Sequence, residues 1–297
     1  MNLIPSPQLF PNKTIVVAID FLESSRLALD YAIGFAHKYQ AALILVHAIE
    51  LSQPAREAEI LGHKRSLTRI VAIDRLEALA AGVRRLGLDV KTCTEEGEPC
   101  DVLTNVISSL QADLLVLGTH GIHRGIGHLL LGSNVEKLLM VSPCPTLSIG
   151  RHVLSGIDVN LRFNEVLYVS DFSAEAAAAA PVALLLGRDF SAPVDVCQMM
   201  PNEALNDPLA QERLSSEYFR TMRQIMPEAD HFWCIPSTTL ERDSMVQQVL
   251  ERSTTNNAGI IVLGIKPEAF LGRRLHTSFA YKLLADASCP ILTVRRA

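Results

Sequence analysis

Short, almost wholly apolar runs alternate along this chain with longer stretches whose apolar residues recur every three or four positions. In the first half the pattern predicts strands at 14–20, 43–49, 89–94, 113–118 and 146–150, with helices at 23–39, 55–86, 98–110 and 132–141 between them. Several strand runs, ADLLVLG at 112–118 among them, are continuously apolar instead of alternating. That marks parallel strands covered on both faces. Strand–helix alternation of this kind closes through right-handed crossovers, so the expected class is α/β, a doubly wound parallel sheet.

The pattern is written twice. IVVAID at 15–20 returns as VLYVSD at 166–171, ADLLVLG at 112–118 as AGIIVLG at 258–264, and CPTLSI at 144–149 as CPILTV at 289–294. The offsets of 151, 146 and 145 residues keep both order and spacing, which marks a duplication. Second-copy strands are expected at 165–170, 194–199, 231–235, 259–264 and 291–295. The domains are then 1–150 and 165–297, joined by a linker at 151–164 that has no clear periodicity. Ser173 is placed to cap the helix after Asp171, and Pro181 to end or kink it.

Composition narrows the partners. The 297 residues are 48% hydrophobic and 20% charged, with a formal net charge of −5, which fits two folded domains. Nothing in that charge favours nucleic acid or an anionic membrane. The basic stretch His63–Arg69 falls within an expected helix and reads as a solvated face. No apolar run reaches the ~18–20 residues of a membrane span. The opening MNLIPSPQLFPNK lacks the basic start and apolar core of a signal peptide. The six cysteines, at 93, 100, 144, 197, 234 and 289, form no CxxC pair and read as reduced thiols. A cytoplasmic protein is expected.

The candidate chemistry lies at 118–134, GTHGIHRGIGHLLLGSN. In an open parallel sheet, ligands bind beyond the carboxyl ends of strands, and both Asp20 and Gly118 stand at such ends. Gly118 and Gly121 permit a tight turn with N–H groups aimed outward. Gly132 and Ser133 open the next helix, whose first turn offers unpaired N–H groups and the positive end of the dipole to an anion. The same glycines also suit a plain loop–helix junction with Ser133 as cap. Spacing alone leaves both readings open.

A strand ending in Asp-Phe, LVHA on the second strand, Gly-Glu-Pro before the third helix and LGTHG…LLLGS resemble the universal stress protein family, in two tandem copies covering nearly the whole chain. The resemblance implies a flavodoxin-like sheet of five parallel strands, ordered 3-2-1-4-5, in each copy. It also implies ATP, with or without Mg²⁺, in the first. Ala18 and Asp20 would then face the adenosine, and the Ala48 backbone the adenine. Gly118, Gly121, Gly132, Ser133 and the Asn134 backbone would surround the phosphates. Asp20 would hold a ribose hydroxyl or a phosphate-bound Mg²⁺, or else simply close its strand. Arg124 would meet a γ-phosphate or face solvent.

This chain departs from the family pattern in having ten residues between Gly121 and Gly132, where the family has nine. In the second copy Pro267 stands opposite Gly121 and Thr277 opposite Gly132, while Gly264, Ser278 and Asp171 are kept. Proline there removes an N–H, so the second copy is not expected to bind ATP in the family manner. His120, His123 and His128 lack the cysteines or carboxylates that would make a metal site. Without a P-loop or a GxSxG elbow, no catalytic group is expected beyond slow hydrolysis. The partners implied are an adenine nucleotide, an unidentified protein, and a second chain in a homodimer. The last strands of the two copies, Thr146–Ile149 and Ile291–Val294, would run side by side.

Overall fold

The computed structural model describes residues 8–50, 58–119, 132–153, 160–171, 173–199, 207–225, 234–240, 245–266 and 279–296. The first copy runs β1 (Thr14–Ala18), α1 (Glu23–Tyr39), β2 (Ala42–Ile49), α2 (Ala58–Arg84), β3 (Val90–Glu96), α3 (Pro99–Leu110), β4 (Leu114–Gly118), α4 (Ser133–Val141) and β5 (Thr146–Ile149). The second runs β6 (Val166–Ser170), α5 (Ala174–Phe190), β7 (Val194–Met199), α6 (Pro208–Ile225), β8 (Cys234–Leu240), α7 (Met245–Thr255), β9 (Ile260–Ile265), α8 (Phe279–Asp286) and β10 (Ile291–Arg295). Both copies end α-helices in the same way. Gln40, Gln111, Ser191 and Asn257 each take a left-handed conformation just past a helix, which lets the chain turn back toward the sheet.

The strands form one sheet in the order β3-β2-β1-β4-β5-β10-β9-β6-β7-β8. Within each copy the described ladders are parallel. Where the copies meet, β5 and β10 pair antiparallel, with Leu292 opposite Leu147 and Thr293 opposite Thr146. The Thr293 hydroxyl donates to the Thr146 carbonyl at 3.2 Å. A strand edge that would otherwise be left with unpaired N–H and C=O groups is thereby satisfied in both copies.

Helices cover the two faces unequally in sequence but evenly in space. On one side α1, α2 and α5 bury residues such as Phe35, Leu76 and Leu184. On the other, α3, α4, α7 and α8 bury Leu103, Leu139, Val249 and Leu283. Each core draws on both copies, so no solvent layer divides them. An aromatic cluster reinforces the joint on the α1/α5 side. Tyr39 and Phe190, equivalent positions in the two copies, lie 6.1 Å apart across it. Phe163, which precedes β6, sits 4.3 Å from Phe190 and 6.0 Å from Phe35. The end of the connecting segment is therefore a wedge in the core, not a slack tether.

α5 does not end at Pro181. It runs on to Phe190, because Ala179, Ala180 and Ala183–Gly187 are buried against the sheet and that burial outweighs one lost hydrogen bond. Ser173 caps it as expected, accepting from Ala176 N at 3.2 Å. Among the described residues no helix is long and apolar enough to cross a membrane.

Candidate functional site

α1 leaves β1 toward one face and α4 leaves β4 toward the other, although β1 and β4 are neighbours. This divergence opens a crevice at the carboxyl ends of the two strands, the usual place for a ligand in such a sheet. Ala18 ends β1, with Asp20 two residues on. Ala48 lies in the last turn of the ladder in β2, and Gly118 ends β4. Gly132, Ser133 and Asn134 stand at the start of α4. Gly121 and Arg124 lie outside the described residues.

Hydrogen bonds fix the walls. The Ile19 N–H reaches the Val46 carbonyl at 2.8 Å. His47 Nδ1 lies 2.7 Å from the Ile19 carbonyl, which can only accept, so this nitrogen carries the proton. Gly132 N donates to the Thr119 carbonyl at 3.3 Å, seating the start of α4 on the end of β4. Asn134 Nδ2 donates to Glu50 Oε1 at 3.3 Å and so joins α4 to the end of β2. Lys137 and Glu98 tie α4 to α3 at 3.5 Å.

Phe21, the second residue of the Asp-Phe pair, stands in surroundings that its motif did not announce. Its backbone is left-handed, with φ of 63°. That is costly for a bulky side chain and is retained where the surroundings dictate it. The ring lies 4.5 Å from the His47 ring, and the Arg75 guanidinium sits 4.1 Å from its centre. The strained turn thus presents an aromatic–cation stack beside the crevice. Glu50 and Thr119 were likewise missed: Glu50 belongs to no motif, and Thr119 lies within LGTHG but was given no role.

The two copies separate what the fold requires from what it does not. A Cβ on Gly118 would lie 2.6 Å from the Ser24 carbonyl carbon, and one on Gly264 would lie 2.1 Å from the Glu175 oxygen. Both glycines exist because the first turn of a helix presses on the end of a strand. Asp20 and Asp171 also repeat one local role. Each accepts from the N–H two residues on, Leu22 at 2.9 Å and Ser173 at 3.0 Å, which tightens the strand–helix turn. Gly132 is different. Its φ of −60° suits any residue, and among the described residues a Cβ would meet only Val135 Cγ2, at an ordinary 3.8 Å. Among the described residues no side chain caps α4 there.

At the position of His47 the second copy has Gln198, buried and accepting from the Ser215 hydroxyl at 2.7 Å. The family model for the universal stress protein family matches residues 11–149 and again 162–295. The chain belongs to that family. A universal stress protein of Thermus aquaticus is 33% identical over 141 residues, which are 46% of this chain and 96% of that protein. The crystal structure of a universal stress protein from Archaeoglobus fulgidus aligns over 98% of this chain and 97% of its own, with a TM-score of 0.72 and 18% identity, which bears on the fold alone. A further solved universal stress protein, in complex with cAMP, is 28% identical over 46% of this chain and 94% of its own, with a TM-score of 0.35.

The described cysteines are unbridged, and burial raises Cys93 and Cys100 above the ordinary thiol value. Among the described residues no group of histidines, cysteines and carboxylates is placed to hold a metal.

Proposed function

We propose that the first copy of this universal stress protein binds ATP, or a related adenine nucleotide, with Mg²⁺, and that the chain acts as a cytoplasmic signalling module read by a protein partner. The observation that carries this is Gly132. It is a glycine that neither its backbone angle nor its packing against the described residues demands, at the start of a helix whose first N–H groups have no side-chain cap among those residues. An open approach to bare N–H groups is what a phosphate oxygen needs. Gly118 would lie alongside and Ser133 would donate its hydroxyl, with Gly121 and Arg124 completing the cradle. Ala18, Ala48 and the Phe21–His47 stack would flank the nucleoside. Asp20 keeps a carboxylate oxygen for a ribose hydroxyl or the Mg²⁺. The second copy, with Thr277 in place of Gly132, stays empty of nucleotide.

α4 supplies a route from the nucleotide to the rest of the molecule. Its first turn faces the phosphates, and its Met140 carbonyl accepts a hydrogen bond from Arg295 at the end of β10. Occupancy would bias the position of α4 and, through it, the second copy. The role is binding, not rapid turnover.

A ligand-free scaffold is the rival reading, and the fold-internal reasons found for Gly118 and Asp20 favour it. Calorimetric titration of ATP and Mg²⁺ into nucleotide-stripped protein separates the two. One site per chain is expected, lost in Gly132→Asp and kept in Thr277→Asp. Absence of binding in the intact protein would leave the scaffold.

A further inference from the structure

Among the described strands the sheet has two outer edges, β3 and β8. β8 carries Pro236, which takes a donor out of its strand. β3 is a seven-residue strand, VKTCTEE, with every backbone donor intact. Its middle residues read Lys91-Thr92-Cys93-Thr94-Glu95. Laid antiparallel on a second copy about Cys93, this segment puts Lys91 of each chain opposite Glu95 of the other, with Thr92 opposite Thr94. Sliding the register two residues one way sets Glu95 opposite Asp89, two like charges; sliding it the other way sets Glu95 opposite Cys93. Of these three registers, only the one centred on Cys93 matches charge. Among the described residues, neither Lys91 nor Glu95 has an ion-pair partner within its own chain.

Two further features lie along the same edge. On the α3 side, Lys91, Cys93 and Glu95 line an open groove of about 670 Å³ whose floor includes Ile44 and Val106. In the second copy, by the strand register and the shared helix end, Asp195 and Arg252 take the places of Ile44 and Val106. Those two close on each other as an ion pair. On the opposite face α2 runs over β3, with Glu77 bonded to the Thr92 hydroxyl and Arg69 paired with Glu96 at 3.9 Å. Ile70 and Ile73 share the stripe of α2 that carries Glu77, seven and four residues before it. Both are exposed, at 54% and 38%. A second chain paired through β3 would bring its own α2 alongside on this face, antiparallel, and cover them.

We propose that two copies of this chain associate about a two-fold axis through their β3 edges, in the register that places Cys93 opposite Cys93, so that one sheet runs continuously through both molecules. The interface is isologous and closed, so it makes dimers and no filament. Lys91 and Glu95 set the register, and Ile70 and Ile73 supply the apolar contact. The edge of the second copy takes no part.

Sedimentation velocity on the full chain at low micromolar concentration tests this. A species of twice the chain mass is expected. Lys91→Glu and Glu95→Lys each turn two opposite-charge pairs into like-charge pairs and should weaken the dimer by about tenfold or more. The Lys91→Glu/Glu95→Lys double variant restores the pairs in reverse and should recover it. A short bismaleimide should join the wild-type chains through Cys93, and Cys93→Ser should abolish that product. Wild-type protein that sediments as a monomer, or a dimer indifferent to the single charge reversals, would overturn the proposal and leave Lys91 and Glu95 as guards against edge pairing.

Discussion

At Gly118 a methyl group would have to enter the space already held by the Ser24 backbone, 2.6 Å away. Backbone cannot yield as a flexible side chain can, so Gly118→Ala should cost about 2–4 kcal/mol in urea unfolding. Gly132→Ala meets no such neighbour among the described residues, and its stability should stay within about 1 kcal/mol of wild type. Its ATP affinity should nevertheless fall. If both substitutions proved equally destabilising, the distinction between packing glycine and ligand glycine would collapse. The buried thiols give a second test. Burial pushes Cys144 from 9.0 up to about 11 and Cys289 up to about 12. The unfolded chain would release these protons near the ordinary value, whereas the folded chain keeps them. Their contribution is therefore complete below about pH 9 and declines as the pH rises toward the folded values. Each thiol adds a slope of up to about 1.4 kcal/mol per pH unit in that window. Cys289→Ala should flatten the fall of the urea midpoint between about pH 9 and 11; an unchanged slope would count against the assignment.

Among the elements, those that the sequence predicted best are the ones buried on both faces. β4 and β9 are continuous apolar runs and β7 and β10 largely apolar ones, and each begins and ends within a residue of its expected place. The poorest agreement is at β8, expected at 231–235 but running on to Leu240 as CIPSTTL, and β3 also extends two residues further, to Glu96. Both are sheet edges, where one-sided burial removes the apolar signal and charged or proline-bearing sequence replaces it. The site divides in the same way. Gly118, Gly132 and Asp20 were legible because they sit in a motif, but their separate reasons were not, since these depend on distances to Ser24 and Leu22. Glu50 carried no motif signal, and Phe21 and Thr119, though inside the quoted motifs, owe their places to a left-handed turn and to the seat of α4 that no spacing reveals. At α5, the helix continues past Pro181 without the N–H that would reach Ala177. Pro181→Ala should restore that bond, and the gain is offset in part by greater freedom of the unfolded chain. A net stabilisation of about 1 kcal/mol is expected, read as a rise in Tm. A fall would mean that the proline ring makes contacts worth more than the bond it forbids.

For the molecule as a whole, the decisive feature is that neither core stops at the joint between copies. Leu147 and Leu292, opposite each other on β5 and β10, are both fully or almost fully buried and belong to the same core. Phe163 wedges between Phe35 and Phe190 on that side, while Arg295 ties β10 to α4. Separating the copies would expose this apolar surface and two strand edges at once, so neither should unfold while the other remains native. The single tryptophan, at 233, lies in the second copy, whereas far-ultraviolet circular dichroism reports the helices of both. Urea transitions followed by the two signals should coincide. Leu292→Ala removes buried volume at the joint and should lower stability by about 2–5 kcal/mol, moving both transitions together. Two separated transitions in the wild type would mean that the shared sheet does not couple the copies. A nucleotide in the first copy could then bias the second only through α4. Coincident transitions that part in Leu292→Ala would instead identify the β5–β10 ladder as the coupling element.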